Sequence, residues 1–216
     1  MNKNSDDREY SIDIDRLPFS QACENNKHAI LEVLQLELKD SYHVLEVGSG
    51  TGQHSVYFAP KLAHLIWQTS DVINNHRRIR AWHNAYRAPN LRAPLAFDLM
   101  TDSVPSSENN KPYDAVFTAN TLHIIGWPLI ERLFALVGEA LFIDNKLVVY
   151  GPFNENGVYT SASNQSFDLS LRQRDPDSGI RHKEEIIALA RQHGLIFTNE
   201  YLLPANNQIL IFKKTK

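Results

Sequence analysis

Apolar positions along this chain recur in two alternating rhythms. From Ala22 to Leu38 they fall at 22, 29, 30, 33, 34 and 38, a helical stripe. Tyr42–Val47 then reads as a short, largely apolar strand, and Gln53–Leu62 as a helix whose end is blurred by Pro60. His64–Thr69 predicts a second strand and 75–86 a second crossover helix. Ala93–Phe97 and Tyr113–Ala119 predict strands three and four, Pro128–Leu141 a helix, and Lys146–Tyr150 a fifth strand broken by Gly151-Pro152. Residues 153–182 carry no sustained period and predict a functional loop, a lid or short helical pieces. A last helix, Glu184–His193, precedes two strands, Leu195–Leu203 and Gln208–Lys213, joined by four residues as in a hairpin.

Strands alternating with helices predict a parallel sheet wrapped by helices, since right-handed crossovers place them on both faces. The expected fold is α/β: a doubly wound, Rossmann-like sheet of seven strands with only the last one antiparallel. Residues 1–15 hold Asp6, Asp7, Glu9, Asp13 and Asp15 and predict an acidic, disordered head, with residues 16–216 forming one domain. Such a head lacks the basic start and apolar run of an export signal, and no stretch is apolar enough to span a bilayer. A cytoplasmic protein without membrane contact is expected. One cysteine, Cys23, excludes an internal disulfide framework, and a hydrophobic content of 43% excludes disorder for the chain as a whole. The net charge of −3 argues against a protein coated by nucleic acid. It is uneven, however: between Asp71 and Asp98 there is no acid, while Arg77, Arg78, Arg80, Arg87 and Arg92 all occur there.

Candidate chemistry begins where strand one runs into Glu46-Val47-Gly48-Ser49-Gly50-Thr51-Gly52. A glycine-rich turn between strand and helix lets backbone approach a ligand closely. A dinucleotide fingerprint would place its third glycine at 53, which is Gln53, so the loop suits a ligand with no pyrophosphate to cradle. Polar residues then recur at strand ends. Asp71 follows strand two, where a carboxylate can take both hydroxyls of an adenosine ribose; Asp98 follows strand three and Asn120 strand four. In open α/β sheets these ends converge on one crevice.

These motifs resemble the class I S-adenosylmethionine-dependent methyltransferases. More narrowly, Ser20–Lys27, the glycine loop, Asn120-Thr-Leu-His-Ile-Ile125, Gly151-Pro-Phe-Asn154, Ser163–Asp168 and Arg174–Arg181 resemble the family of methyltransferase-like protein 26, over about residues 17–213. The resemblance implies S-adenosylmethionine as cofactor, with S-adenosylhomocysteine as its product. It implies that Glu46 and Gly48, Ser49, Gly50 and Gly52 face the amino-acid end, Asp71 the ribose and Asp98 the adenine. Glu24 and Asn26 would close over the site from the first helix, flanking Asn25 where the family usually carries a base. It implies no substrate.

Each residue also has a plainer reading. Glu46 could be a buried acid paired with an amide, Asp71 a helix N-cap, and Asp98 a turn residue. His123, three residues past Asn120, is a candidate general base beside the methyl position, or else a hydrogen-bonded histidine of the pocket wall. Asn154, Asn164, Asp168, Arg172 and Arg181 are candidates for substrate binding, or for bonds that stabilise their own loop. No histidine or cysteine spacing predicts a metal. The expected activity is methyl transfer to a small molecule. A cofactor-binding regulatory protein and an RNA methyltransferase using the 77–92 segment are the alternatives, and a nicotinamide oxidoreductase is weaker because Gln53 breaks its fingerprint.

Overall fold

A computed structural model describes residues 16–107 and 110–215, so the expected acidic head lies outside the described residues. The chain runs α1 (Gln21–Glu37), β1 (His43–Val47), α2 (Gln53–Phe58), β2 (Ile66–Asp71), α3 (His76–Ala85), β3 (Leu91–Ala96), β4 (Ala115–Ala119), α4 (Trp127–Ala140) and β5 (Lys146–Asn154). It continues through α5 (Ala162–Arg174), β6 (Arg181–His182), α6 (Lys183–Gln192), β7 (Leu195–Leu203) and β8 (Asn207–Lys214). The main sheet has the order β3-β2-β1-β4-β5-β8-β7, with the two-residue β6 added beside β5. Only β8 is reversed: it pairs antiparallel with both β5 and β7.

Alternation along each strand divides the core between two faces. Val44, Phe117, Val148, Tyr150, Ile209 and Ile211 meet Ile30, Leu31 and Leu34 of α1 and Phe58 of α2 on one side. Leu45, Val116, Leu147, Val149, Leu210 and Phe212 meet Leu133, Phe134 and Val137 of α4 and Ile186 and Leu189 of α6 on the other. A one-residue slip in any of these strands would exchange the two sets.

Two departures from the sequence reading bear on the site. Strand five does not stop at Gly151-Pro152. Gly151 and Pro152 pair with Gln208 and Asn207 of β8, whereas β4 ends opposite Tyr150. Beyond Tyr150 that edge has no neighbour from β4, so the missing N–H of Pro152 breaks no bond there. Residues 153–182 contain a full helix, α5, capped by Ser161, whose Oγ accepts from the Asn164 N–H. Its period is weak because its buried positions are Asn164, Asp168 and Leu171, while Phe167 and Leu169 are exposed. A helix that buries two polar residues and exposes two apolar ones does not show an apolar stripe. Smaller shifts follow Pro60: α2 ends at Phe58 and continues as a 3₁₀ turn over Ala59–Lys61.

Candidate functional site

The turn after β1 is folded by its glycines and held by two acids. Gly48, Gly50 and Gly52 all have positive φ (73°, 60° and 88°), the left-handed region that side chains disfavour. Their surroundings differ. A Cβ on Gly48 would lie 3.0 Å from Thr121 Oγ1, and one on Gly52 3.0 Å from the Cα of Ile79 in α3, so these two serve close packing. At Gly50 the nearest atom would be 4.0 Å away, and that atom is the carbonyl of Gly48. Gly50 therefore opens on free space, and a side chain there would fill it.

Glu46 lies in β1, 2% exposed, and its Oε2 accepts from Trp67 Nε1 and Ser49 Oγ, both at 3.0 Å. Burial raises its pKa to about 7; the two hydrogen bonds oppose the rise and neighbouring Asp71 adds to it. The carbonyl of Ser70 takes the N–H groups of Gly48 and Ser49, which ties the loop to the end of β2. Asp71 completes the tie. Its Oδ2 accepts from Gly50 N at 2.7 Å, and its Oδ1 from Val72 N and Asn75 Nδ2. It thus holds both the glycine loop and the segment leading into α3.

Gln53 has a role that its departure from the fingerprint did not disclose. It is buried, its Oε1 accepts from Ser20 N at 2.5 Å and Thr51 Oγ1 at 3.1 Å, and its Nε2 donates to the Ser20 carbonyl. This clamps the start of α1 onto the glycine loop. His54 adds a second clamp, with Nε2 2.7 Å from Asn26 Oδ1. Burial lowers its pKa to about 4, so the ring is neutral near pH 7.

Beside this loop, at the carboxyl ends of β4 and β5, lies a pocket of about 390 Å³. Asn25 and Asn26 of α1, Asn120, Tyr150, Asn164 and Phe167 of α5, and Asn207 form much of its wall. Asn120 holds a positive φ of 56° and donates its N–H to the Tyr150 carbonyl. A broader depression of about 750 Å³, lined by Phe142, Ile143, His193 and Lys214, sits at the opposite end of the strands, away from the glycine loop.

The candidates from the sequence therefore divide by place. Glu46, Ser49, the three glycines and Asp71 come together at the loop; Asn26, Asn120 and Asn164 line the pocket. Asp98 is half-buried and its Oδ1 accepts from Met100 N, an Asx turn after β3. Glu24 pairs with Lys27 and lines a separate cleft with Tyr57, Trp82 and Tyr86.

His123 is 5% exposed, edge-on to Phe167 at 5.5 Å, and behind Gly151. Burial, aided by the charge of Arg181, lowers its pKa to about 4. Its loop is held from the other side: Arg181 donates to the carbonyls of Leu122 and Ile125, and Gly179 N donates to that of His123. Asp168 in turn accepts from Ile180 N, Arg172 Nε and Tyr159 Oη. Asp168, Arg172 and Arg181 thus form a brace from α5 to the 122–125 turn, outside the pocket lining. Asn154 is buried near Ile180, its Oδ1 without a partner among the described residues. Arg77, Arg78 and Arg80 project from the exposed side of α3. Among the described residues no group of three or more His, Cys, Asp or Glu is placed to hold a metal, and no helix is long and apolar enough to cross a membrane.

A family model described as "Protein of unknown function (DUF938)" matches residues 17–214. The chain belongs to that family. Among solved structures it is similar to an O-methyltransferase family protein from Burkholderia thailandensis, with TM-score 0.75 and 14% identity over 90% of this chain and 58% of that one. It is also similar to the methyltransferase SibL (TM-score 0.75, 18% identity, 90% of this chain and 56% of that one). Human N-acetylserotonin methyltransferase, solved in complex with SAM, matches with TM-score 0.74 at 13% identity, covering 90% and 53%. This DUF938 chain spans less than two thirds of the length of each. At these identities the likeness shows the fold, which is that of the Rossmann-like methyltransferases.

Proposed function

We propose that this DUF938 protein is an S-adenosylmethionine-dependent methyltransferase acting on a small molecule. The observation that carries the reading is the glycine loop after β1, open only above Gly50, next to an amide-bearing, mostly apolar pocket at the ends of β4 and β5. The residues present fit the cofactor. A carboxylate has about four lone-pair sites, and Asp71 uses three of them within the fold, which leaves acceptor capacity toward a ribose. The Asp71 carboxylate, hydrogen-bonded to Gly50 N at the open point of the loop, suits a ligand bearing ammonium and sulfonium charge. In this reading Gly48 to Gly52 and Glu46 hold the amino-acid end, Asp98 borders the adenine, and Asn26 and Glu24 belong to the helix that closes over it.

When bound, S-adenosylmethionine supplies an electrophilic methyl group. The chain's own contribution is placement and exclusion of water. Asn120 and Asn164 orient the acceptor in the pocket, and the brace of Asp168, Arg172 and Arg181 holds the His123 turn against it. His123, with its low pKa, supports Phe167 as part of that wall rather than storing a proton near neutral pH. The likeness at residues 20–27, 120–125 and 151–154 extends the proposal to kinship with methyltransferase-like protein 26.

Calorimetric titration of the full chain with S-adenosylmethionine, S-adenosylhomocysteine and NAD tests the reading. Binding of the first two and not of NAD is expected; binding of NAD alone overturns it. Cofactor binding with no S-adenosylhomocysteine formed from any acceptor would favour a regulatory cofactor-binding protein instead.

A further inference from the structure

The walls of the pocket beside the glycine loop define a ligand more narrowly than "small molecule". Among the described residues no Asp, Glu, Lys, Arg or His lines it. Its polar groups are mostly primary amides, from Asn25, Asn26, Asn120, Asn164 and Asn207, together with Ser163 and Tyr150. The rest is apolar and includes Phe167, Pro152 and Leu203.

Several of these amides are already half-used, which sets what they can still offer. Asn164 Nδ2 donates to Thr160 Oγ1 and the Asn206 carbonyl, and Asn207 Nδ2 donates to the carbonyls of Pro204 and Ala205. Both therefore retain a carbonyl oxygen as acceptor. Asn25 Oδ1 accepts from Gln21 Nε2, which leaves its NH₂ as donor. The side chain of Asn120 makes no hydrogen bond among the described residues and can do either. The wall thus presents both acceptors and donors around a mostly apolar cavity of about 390 Å³, with the rings of Tyr150 and Phe167 in its lining.

A charged ligand entering such a site leaves water without gaining an opposite charge, a penalty amides offset poorly. A flat neutral ligand with donors and acceptors on its edge meets no such penalty. We propose that this pocket binds an uncharged aromatic or heteroaromatic molecule bearing both hydrogen-bond donors and acceptors, and excludes carboxylates and cationic amines. The proposal rests on the methyltransferase reading for the ligand's role as acceptor, but its binding can be measured without the cofactor.

The test uses one shape in three charge states: quinoline-3-carboxamide, quinoline-3-carboxylate and 1-methylquinolinium-3-carboxamide. Binding to the full chain is followed by ligand-observed NMR in the absence of S-adenosylmethionine. The carboxamide is expected to bind at least about tenfold more tightly than either ion. Ala22→Trp, which fills the mouth of the pocket from the exposed start of α1, should abolish that binding. Asn164→Asp and Asn207→Asp should each shift preference toward the cation by about tenfold or more, and two positions guard against one variant failing to fold. Equal or tighter binding of an ion overturns the proposal. So does absence of carboxamide binding at millimolar concentration, or an affinity unchanged in Ala22→Trp. Failure of the methyltransferase reading would appear separately, in the cofactor titration.

Discussion

Glu46→Gln separates the electrostatic state of the glycine loop from its shape. In the folded chain burial holds the Glu46 carboxyl at a pKa of about 7, against an ordinary value of 4.5. The folded state therefore binds more protons than the unfolded chain between those values, and stability falls as pH rises through that window, then levels off above it. Linkage over the interval from about pH 5 to about pH 8.5 gives a loss of about 2.5 kcal/mol from this one group. The replacement amide carries no charge at any pH, keeps an oxygen for Trp67 Nε1, and does not suffer that loss. The assay is urea unfolding of parent and variant, followed by tryptophan fluorescence since Trp67 is fully buried, at several pH values across the interval. The difference cancels other titrating groups, including the depressed His54 and His123. Relative to the parent, the variant should gain about 2–3 kcal/mol as pH rises. A difference that stays constant with pH, or moves the other way, refutes the claim that Glu46 is held protonated by its burial.

Asp71→Ala should weaken S-adenosylmethionine binding more than tenfold by calorimetry; it also frees the Gly50 and Val72 N–H groups, so unfolding free energy should drop by about 1–3 kcal/mol. Gly50→Ala and Gly52→Ala should fail differently. The first costs about 1–2 kcal/mol for its left-handed backbone and loses cofactor affinity, whereas the second drives a methyl against the Ile79 backbone and shows a much larger fall in Tm. Asp168→Asn should lower stability by about 2–3 kcal/mol in urea unfolding at neutral pH. Because Arg172, Tyr159 and the Ile180 N–H hold the Asp168 carboxyl below its ordinary range, that deficit should shrink as pH falls through the carboxylate range.

Much of the sheet was legible because its inner strands carry apolar residues on both faces and helices such as α1 and α4 carry an apolar stripe. The reversed last strand could be read from a four-residue turn between two apolar runs. Helix α5 could not, since its buried face is built from Asn164 and Asp168, whose partners come from the 160, 180 and 206 regions of the chain. At the site, Glu46, Asp71 and the glycines were visible as chemistry out of place in a strand or turn. Gln53 was noticed only for not being glycine, and His54, Tyr150, Phe167 and Asn207 gave no local signal. An amide or ring becomes part of a pocket through what faces it across the fold, and linear spacing holds no record of that.

The amino-acid sequence by itself determined the alternation of elements, the turn that must be glycine, and the strand ends where polar groups gather. Those are local consequences of side-chain volume, backbone freedom and period. Only the tertiary structure decided which polar groups are left over for a ligand. Asp168, Arg172 and Arg181 are candidates for binding along the chain, and in the fold they hydrogen-bond to Tyr159, to one another and to the backbone at 122, 125 and 180. The asparagines of α1, α5 and the start of β8, far apart in sequence, meet with unused donors and acceptors around one cavity. Hydrogen-bond capacity is divided between fold and ligand only after the chain has closed on itself, and at this site that division leaves a neutral, amide-lined pocket beside the glycine loop.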